Sequence, residues 1–321
     1  MASPSTYFTE LTAITLPHNT RRVTDQITAN NAFWRSLEER GNIVTDIKGG
    51  SSIDEPIALV PSAIQNIYGS QPYSTAAVQN ITAVRYNWVE KVGVVSATAR
   101  ELLINSGKEK MIGLVKSKID VLMNSAANAM NIELFGDGSA DQALGGLQLL
   151  LQANGLGTVG GIVSDTWTLW QNKYQQQTAL TGSLTRKDLI QADMTALWKK
   201  CVFGSEKPDV IFMTHDYHNA FEESQQSLQR YMEPKKAMAG FENVGFKGVP
   251  VIFDSNTNFA ETGQRALFLN TKHLFLVQHP QAQWKMEEER KPVNQMSVAI
   301  PAHWMGALVC KGRRFQGLLT T

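Results

Sequence analysis

The segment Gly155-Leu156-Gly157-Thr158-Val159-Gly160 spells GxGxxG, the spacing with which a strand-to-helix turn offers backbone amides to a pyrophosphate. That chemistry needs a helix opening at the third glycine and an acidic residue about 20 positions further on to hold a ribose hydroxyl. Here Gly161-Ile162-Val163-Ser164-Asp165 follows, which does not start a helix, so a flexible Gly-rich loop is expected instead of a nucleotide site. His215 and His218 stand three apart with Asp216 between them, a spacing that sets two imidazoles on one helix face. Zinc wants three or four ligands, no third is evident nearby, and the pattern is not HExxH, so polar residues at a strand-to-helix turn are expected. Gly107-Lys108 is followed by Glu109, which is not the Lys-Ser/Thr end of a phosphate loop, and no GxSxG elbow presents a serine. The run Glu287-Glu288-Glu289-Arg290-Lys291 reads as a solvated strand end or loop. Cys201 and Cys310 are far apart and form no CxxC, which fits two reduced structural thiols. No catalytic, cofactor-binding or metal-ligating residue emerges, and the chain is not expected to be an enzyme.

The elements that would hold such residues explain more. The 321 residues suffice for one large domain or two smaller ones, and 43% hydrophobic with 18% charged residues is a globular composition. Gln, Asn, Ser and Thr fill the place of charges, and such a surface is cheaper to desolvate in a protein contact. A net charge of +1 argues against a dedicated nucleic-acid binder, though not against passive proximity. Met1 to Glu10 has no basic segment followed by an apolar run, so no signal peptide is expected there, and the uncharged stretch 142–164 holds six Gly with several Gln and Asn, too polar and flexible to span lipid.

Residues 1–45 read as an extended arm with a short helix in 20–40, with Ile27, Phe33, Trp34 and Leu37 on its apolar side. Residues 46–88 carry Gly49-Gly50-Ser51-Ser52, three prolines and scattered β-formers without helical period. Two long strands projecting as a hairpin account for them. Arms of about 15 residues would reach roughly 50 Å, and an isolated hairpin needs a partner surface. Ser106 to Glu109 has capping-box spacing. Behind it Ile112, Val115, Ile119, Leu122, Ala126, Met130 and Leu134 recur at helical steps, which predicts a spine helix over 109–135, roughly 40 Å long. Residues 185–278 read as an α/β unit. Thr185 caps a helix carrying Ile190, Met194, Leu197 and Cys201, a buried strand follows Pro208-Asp209, a helix spans 216–232, and a second strand begins near Gly248. The tail returns to β structure.

This order of parts, with its local wording, resembles the tailed-phage major capsid proteins of the Hong Kong 97-type shell fold. The similar segments are Gly136-Asp137-Gly138, Gly145-Gly146-Leu147, Pro208-Asp209-Val210-Ile211, Gln229-Arg230-Tyr231, Gly245-Phe246-Lys247-Gly248, Pro250 to Asn256, and Arg313-Arg314-Phe315-Gln316-Gly317. The resemblance covers most of the chain from about residue 85 onward. It implies an α+β fold with an N-terminal arm (1–45), an extended loop (46–88), a peripheral domain with the spine helix (89–150 and 275–321) and an axial domain (151–274). It implies a head protein that assembles with itself as pentamers and hexamers into an icosahedral shell around double-stranded DNA. Portal and possibly scaffolding or decoration proteins would be partners, contact with the packaged DNA would be passive, and no membrane would be involved. The virion would be its location, after assembly in the host cytoplasm. No cofactor is implied.

Because the arm begins near Met1, a separate scaffolding protein or none is expected. Lys48 lies near the hairpin base and not its tip, so the covalent lysine–asparagine cross-link of some relatives is not carried over. The alternatives are an encapsulin-type compartment, which would start with a cargo-docking helix, and, from another class, a cytosolic enzyme using the Gly155 loop for a nucleotide.

Overall fold

The computed structural model describes residues 32–47, 49–60, 64–72, 76, 80–104, 108–226, 245–253, 264–287, 290 and 296–321; at 102, 108–113, 115, 116, 264 and 265 it describes the backbone alone. The expected features at Ile27, Lys48, Ser106, Gln229 to Tyr231 and Asp254 to Asn256 lie outside the described residues, as do the side chains of Ile112 and Val115.

Residues 32–44 are part of the body and not a free arm. Helix α1 (Ala32–Glu39) buries Phe33 and Leu37 completely, and β1 (Ile43–Val44) joins a sheet. Phe33 meets Phe135 and Phe212 with ring centroids 5.6 Å apart in each case. Burying each such side chain contributes about 2 kcal/mol. The helix has only two turns, and its apolar side is matched by residues more than 90 positions away, so local spacing alone did not reveal its place.

The hairpin pairs β2 (Ser52–Ala58) with β3 (Ile81–Asn87), antiparallel from Ser52↔Asn87 to Ala58↔Ile81. Its strands have 7 residues each, less than half the expected arm length. It also buries a face against its own chain: Ile53, Ile57, Val84 and Tyr86 belong to the main core. The Tyr86 hydroxyl donates to the Cys310 carbonyl at 2.9 Å and accepts from the Cys310 amide at 3.2 Å.

Strand β4 (Val89–Thr98) and the short α2 (Ala99–Ile104) precede the spine helix α3 (Lys108–Leu134). On α3, Leu114, Ala126, Met130 and Leu134 are buried. The helix lies across β4 at Gly93, where a Cβ would come within 2.6 Å of Leu122 Cδ1. The Gly-rich stretch then forms α4 (Leu147–Leu150) and a small hairpin of β5 (Thr158–Val159) and β6 (Ile162–Val163).

Two larger sheets organise the rest. The four-stranded sheet runs β1-β12-β13-β4, with β12 (Leu274–Met286) and β13 (Ser297–Cys310) as its long inner strands. Strand β12 runs unbroken past Trp284, with register shifts between Gln278 and Lys285. The six-stranded sheet runs β7 (Lys173–Gln176), β14 (Gly317–Thr320), β11 (Gln264–Leu269), β8 (Val210–Met213), β10 (Val249–Phe253) and β9 (Gly245–Phe246). Helix α5 (Arg186–Cys201) packs beside it and carries the expected cap: Thr185 N donates to Asp188 Oδ2 at 2.8 Å. Helix α6 (His215–Gln226) completes this layer. Ile190, Met194, Leu197, Phe221, Phe246, Val251 and Phe268 form its separate core.

The division expected for 275–321 is corrected at its end. Residues 317–320 leave the four-stranded sheet and enter the six-stranded one between β7 and β11. Gly317 permits this, because a Cβ there would stand 2.4 Å from Cys201 Sγ beneath α5.

Candidate assembly surfaces

The GxGxxG segment is used for packing. Gly160 has φ +59, and a Cβ there would lie 1.9 Å from Val84 Cγ1. Its carbonyl accepts from the Arg85 amide at 3.0 Å, so the β5–β6 turn docks on the large hairpin. Gly155, at φ +75, leaves room for the Asn172 carbonyl, which a Cβ would approach to 2.8 Å. A two-residue strand, not a helix, follows Gly157.

Beneath this loop sits a residue that sequence reasoning used only as part of a familiar-looking tail. Arg313 is fully buried. Nε donates to Leu150 O at 2.6 Å, Nη2 to Leu156 O at 2.9 Å, and Nη1 to Trp170 O at 3.4 Å and to Ser164 Oγ. These acceptors are neutral, so burial pulls its pKa down to about 10. Only the structure places the guanidinium among carbonyls; an Arg-Arg pair in sequence gives no such signal.

His215 is exposed and His218 buried at the start of α6. Both rings lie against Phe253, at 5.7 and 5.3 Å. Burial lowers the His218 pKa, opposed by Glu222 with its Oε1 at 3.4 Å from Nδ1. Among the described residues no three His, Cys, Asp or Glu side chains gather as a metal site would require. Cys201 and Cys310 are free and buried, and burial pushes both thiols up to about 12, which keeps them protonated and unreactive. Arg290 pairs with Glu287 within the charge run.

What the structure leaves open is apolar. Strand β4 is the last strand of its sheet and pairs on one side with β13, from Val89↔Gly306 to Thr98↔Ser297. Val95 and Ala97 alternate inward toward α3, and Lys91 on that side pairs with Glu133 of α3 at 2.5 Å. Val92 and Val94 therefore point away, 63% and 54% exposed, opposite His303 and Pro301. In the segment between the hairpin strands, Ile64 is 94% and Tyr68 88% exposed. Leu103 and Ile104 of α2 and Met296 ahead of β13 are exposed too. A ten-residue edge that bears valines and is unpaired among the described residues has the character of a template for a further strand. Among the described residues no helix is long and apolar enough to cross a membrane.

No protein-family model matches the chain, and no curated protein does. Solved structures match over nearly its whole length. The capsid asymmetric unit of cyanophage A-1(L) aligns with a TM-score of 0.62 at 13% identity, covering 88% of this chain and 92% of that one. The capsid of Myoviridae phage XM1 aligns at 0.56 with 11% identity, covering 95% and 96%. The SrpI encapsulin of Synechococcus elongatus PCC 7942, solved as its holo complex, aligns at 0.59 with 13% identity, covering 97% and 94%. The chain thus has the α+β shell fold expected from its sequence, the one shared by these capsid proteins.

Proposed function

We propose that the chain is the major head protein of a tailed phage, assembling with itself as pentamers and hexamers into the icosahedral shell of the virion. The observation that carries this reading is the likeness to the cyanophage A-1(L) capsid over 88% of the chain. The open β4 edge and the exposed Ile64 and Tyr68 support it, since a soluble monomer has no use for unpaired apolar edges. Heterologous contacts repeated around closed axes turn many modest interfaces into a stable wall. The solved neighbours are structural shell proteins, which supports a non-enzymatic role.

In this reading residues 46–88 reach a neighbouring copy. The peripheral part comprises 89–150 and the strands after 274, apart from 317–320, and the axial part comprises 151–274. The shell encloses double-stranded DNA, touches it passively, is built in the host cytoplasm, and works with a portal and with scaffolding or decoration proteins. A second reading, an encapsulin-type compartment, is favoured by the coverage of the SrpI encapsulin. Electron microscopy of the purified protein should show uniform polyhedral particles; a chain that stays monomeric under all conditions would overturn both readings. Particles from the native source should hold DNA, and enclosed cargo protein in its place would select the second.

A further inference from the structure

After β11 the chain passes between its two large sheets twice more, and these two crossings lie against each other. Residues 270–273 lead from β11 to β12, and 311–316 from β13 to β14. The buried Gln316 side chain grips Asn270, the first residue of the first crossing, with both amide atoms: Asn270 N donates to Oε1 at 2.8 Å, and Nε2 donates to Asn270 O at 2.9 Å. Lys311 N donates to His273 O at 2.9 Å. The segment after α5 joins them, with Asn270 Nδ2 donating to Glu206 Oε2 at 2.8 Å and Thr271 N to Asp209 Oδ1 at 3.0 Å.

A stack of planar groups ties the three segments. The His273 imidazole lies on the Phe315 ring at 4.6 Å and 17°. The Arg314 guanidinium stands 5.5 Å from that ring and 4.1 Å from the Phe203 ring. The Gly312 backbone abuts the imidazole so closely that a Cβ would lie 2.8 Å from its Cγ. His273 Nε2 is buried without a hydrogen bond among the described residues, 3.5 Å from Glu206 Oε2, an ionic separation only if the ring is charged.

We propose that this stack is an acid-released pin: neutral His273 holds the two sheet crossings together, and its protonation lets them part.

The groups around His273 are of both signs. Glu206 attracts a cation but already holds Asn270 and Lys272, the latter at 3.5 Å. Asp209 is paired with Arg40 at 2.7 Å. Lys272 is adjacent, Arg314 lies over Phe315, and Lys311 is paired with Glu55 at 2.9 Å. Burial holds the His273 pKa below its usual 6.5, and Glu206 only partly opposes this. The fold thus favours the neutral ring, so the stabilisation is complete above the unfolded pKa and is lost as pH falls through the lower folded value.

Hydrogen exchange of the dispersed full chain tests this whether or not shells form. After correction for intrinsic rates, the Asn270 and Lys311 amides should lose protection by about tenfold between about pH 7.5 and pH 5 while helix α5, which carries no histidine, keeps its own. His273→Phe keeps a ring on Phe315 without a titrating group, and its protection should not depend on pH. An unchanged wild type, an equal loss in α5, or the same acid loss in His273→Phe would overturn the proposal. Should the Phe variant not fold, Glu206→Gln decides. It removes the carboxylate that favours the cation, so opening should move to lower pH, and a midpoint that stays or rises overturns the pin.

Discussion

The two sheets of this protein solve the same problem differently. The six-stranded sheet closes its own core: Phe246 meets Trp198, Phe221 and Phe268 edge-on, and β8 is buried along its whole length. The four-stranded sheet receives α3 on one face and leaves Val92 and Val94 on the other, at an edge with no further strand among the described residues. The first region satisfies itself within one chain, whereas the second keeps an apolar edge uncovered among the described residues. Folding and assembly can therefore be damaged separately.

The largest effect expected from that contrast is on assembly. Val92→Asp combined with Val94→Asp places two charges where a neighbour would have to desolvate them, so particles should vanish in sedimentation and microscopy. Chain stability should fall by less than about 1 kcal/mol, because both positions are already exposed. A large loss of stability would mean that this face is part of the chain's own core, and the contrast would break.

Arg313→Ala acts in the opposite sense. It leaves the carbonyls of Leu150, Leu156 and Trp170 without their donor in a sealed site, and denaturant unfolding should show a loss of about 3 kcal/mol or more. Gly160→Ala should cost less, about 2 kcal/mol, from the left-handed backbone and the clash with Val84. It should also raise proteolysis of the hairpin base, since the Arg85 amide loses its acceptor. Equal stability of the Gly160→Ala variant would show that the loop and hairpin are independent.

Legibility in the sequence follows the range of the interactions. Helix α5 with its Thr185 cap and the strand after Pro208-Asp209 were readable, because caps and buried runs act within a few residues. The place of Phe33 and Leu37 was not, since their partners Phe135 and Phe212 come from distant segments. Strand β4 alternates Val92, Val94 and Ser96 with Gly93, Val95 and Ala97, a pattern with valines on both faces, and it went unseen between the hairpin and the spine helix. The hairpin was overextended because its composition shows only that it lacks helical period, not that Tyr86 anchors it to Cys310. The exposed apolar edge likewise has no sequence signature, since a buried valine and an open one are spelled alike.

The position of β14 has a consequence for how the protein is made. Residues 317–320 follow all other described elements in sequence, yet they fill an interior place between β7 and β11. The six-stranded sheet therefore stays split while a ribosome is still adding residues, although β4 and the hairpin have long since emerged. Synthesis exposes the apolar β4 edge before it can complete the six-stranded sheet, and a molecule halted before Gly317 would carry that edge without the completed sheet behind it. The order of synthesis thus leaves that edge exposed for as long as the six-stranded sheet waits for its interior strand.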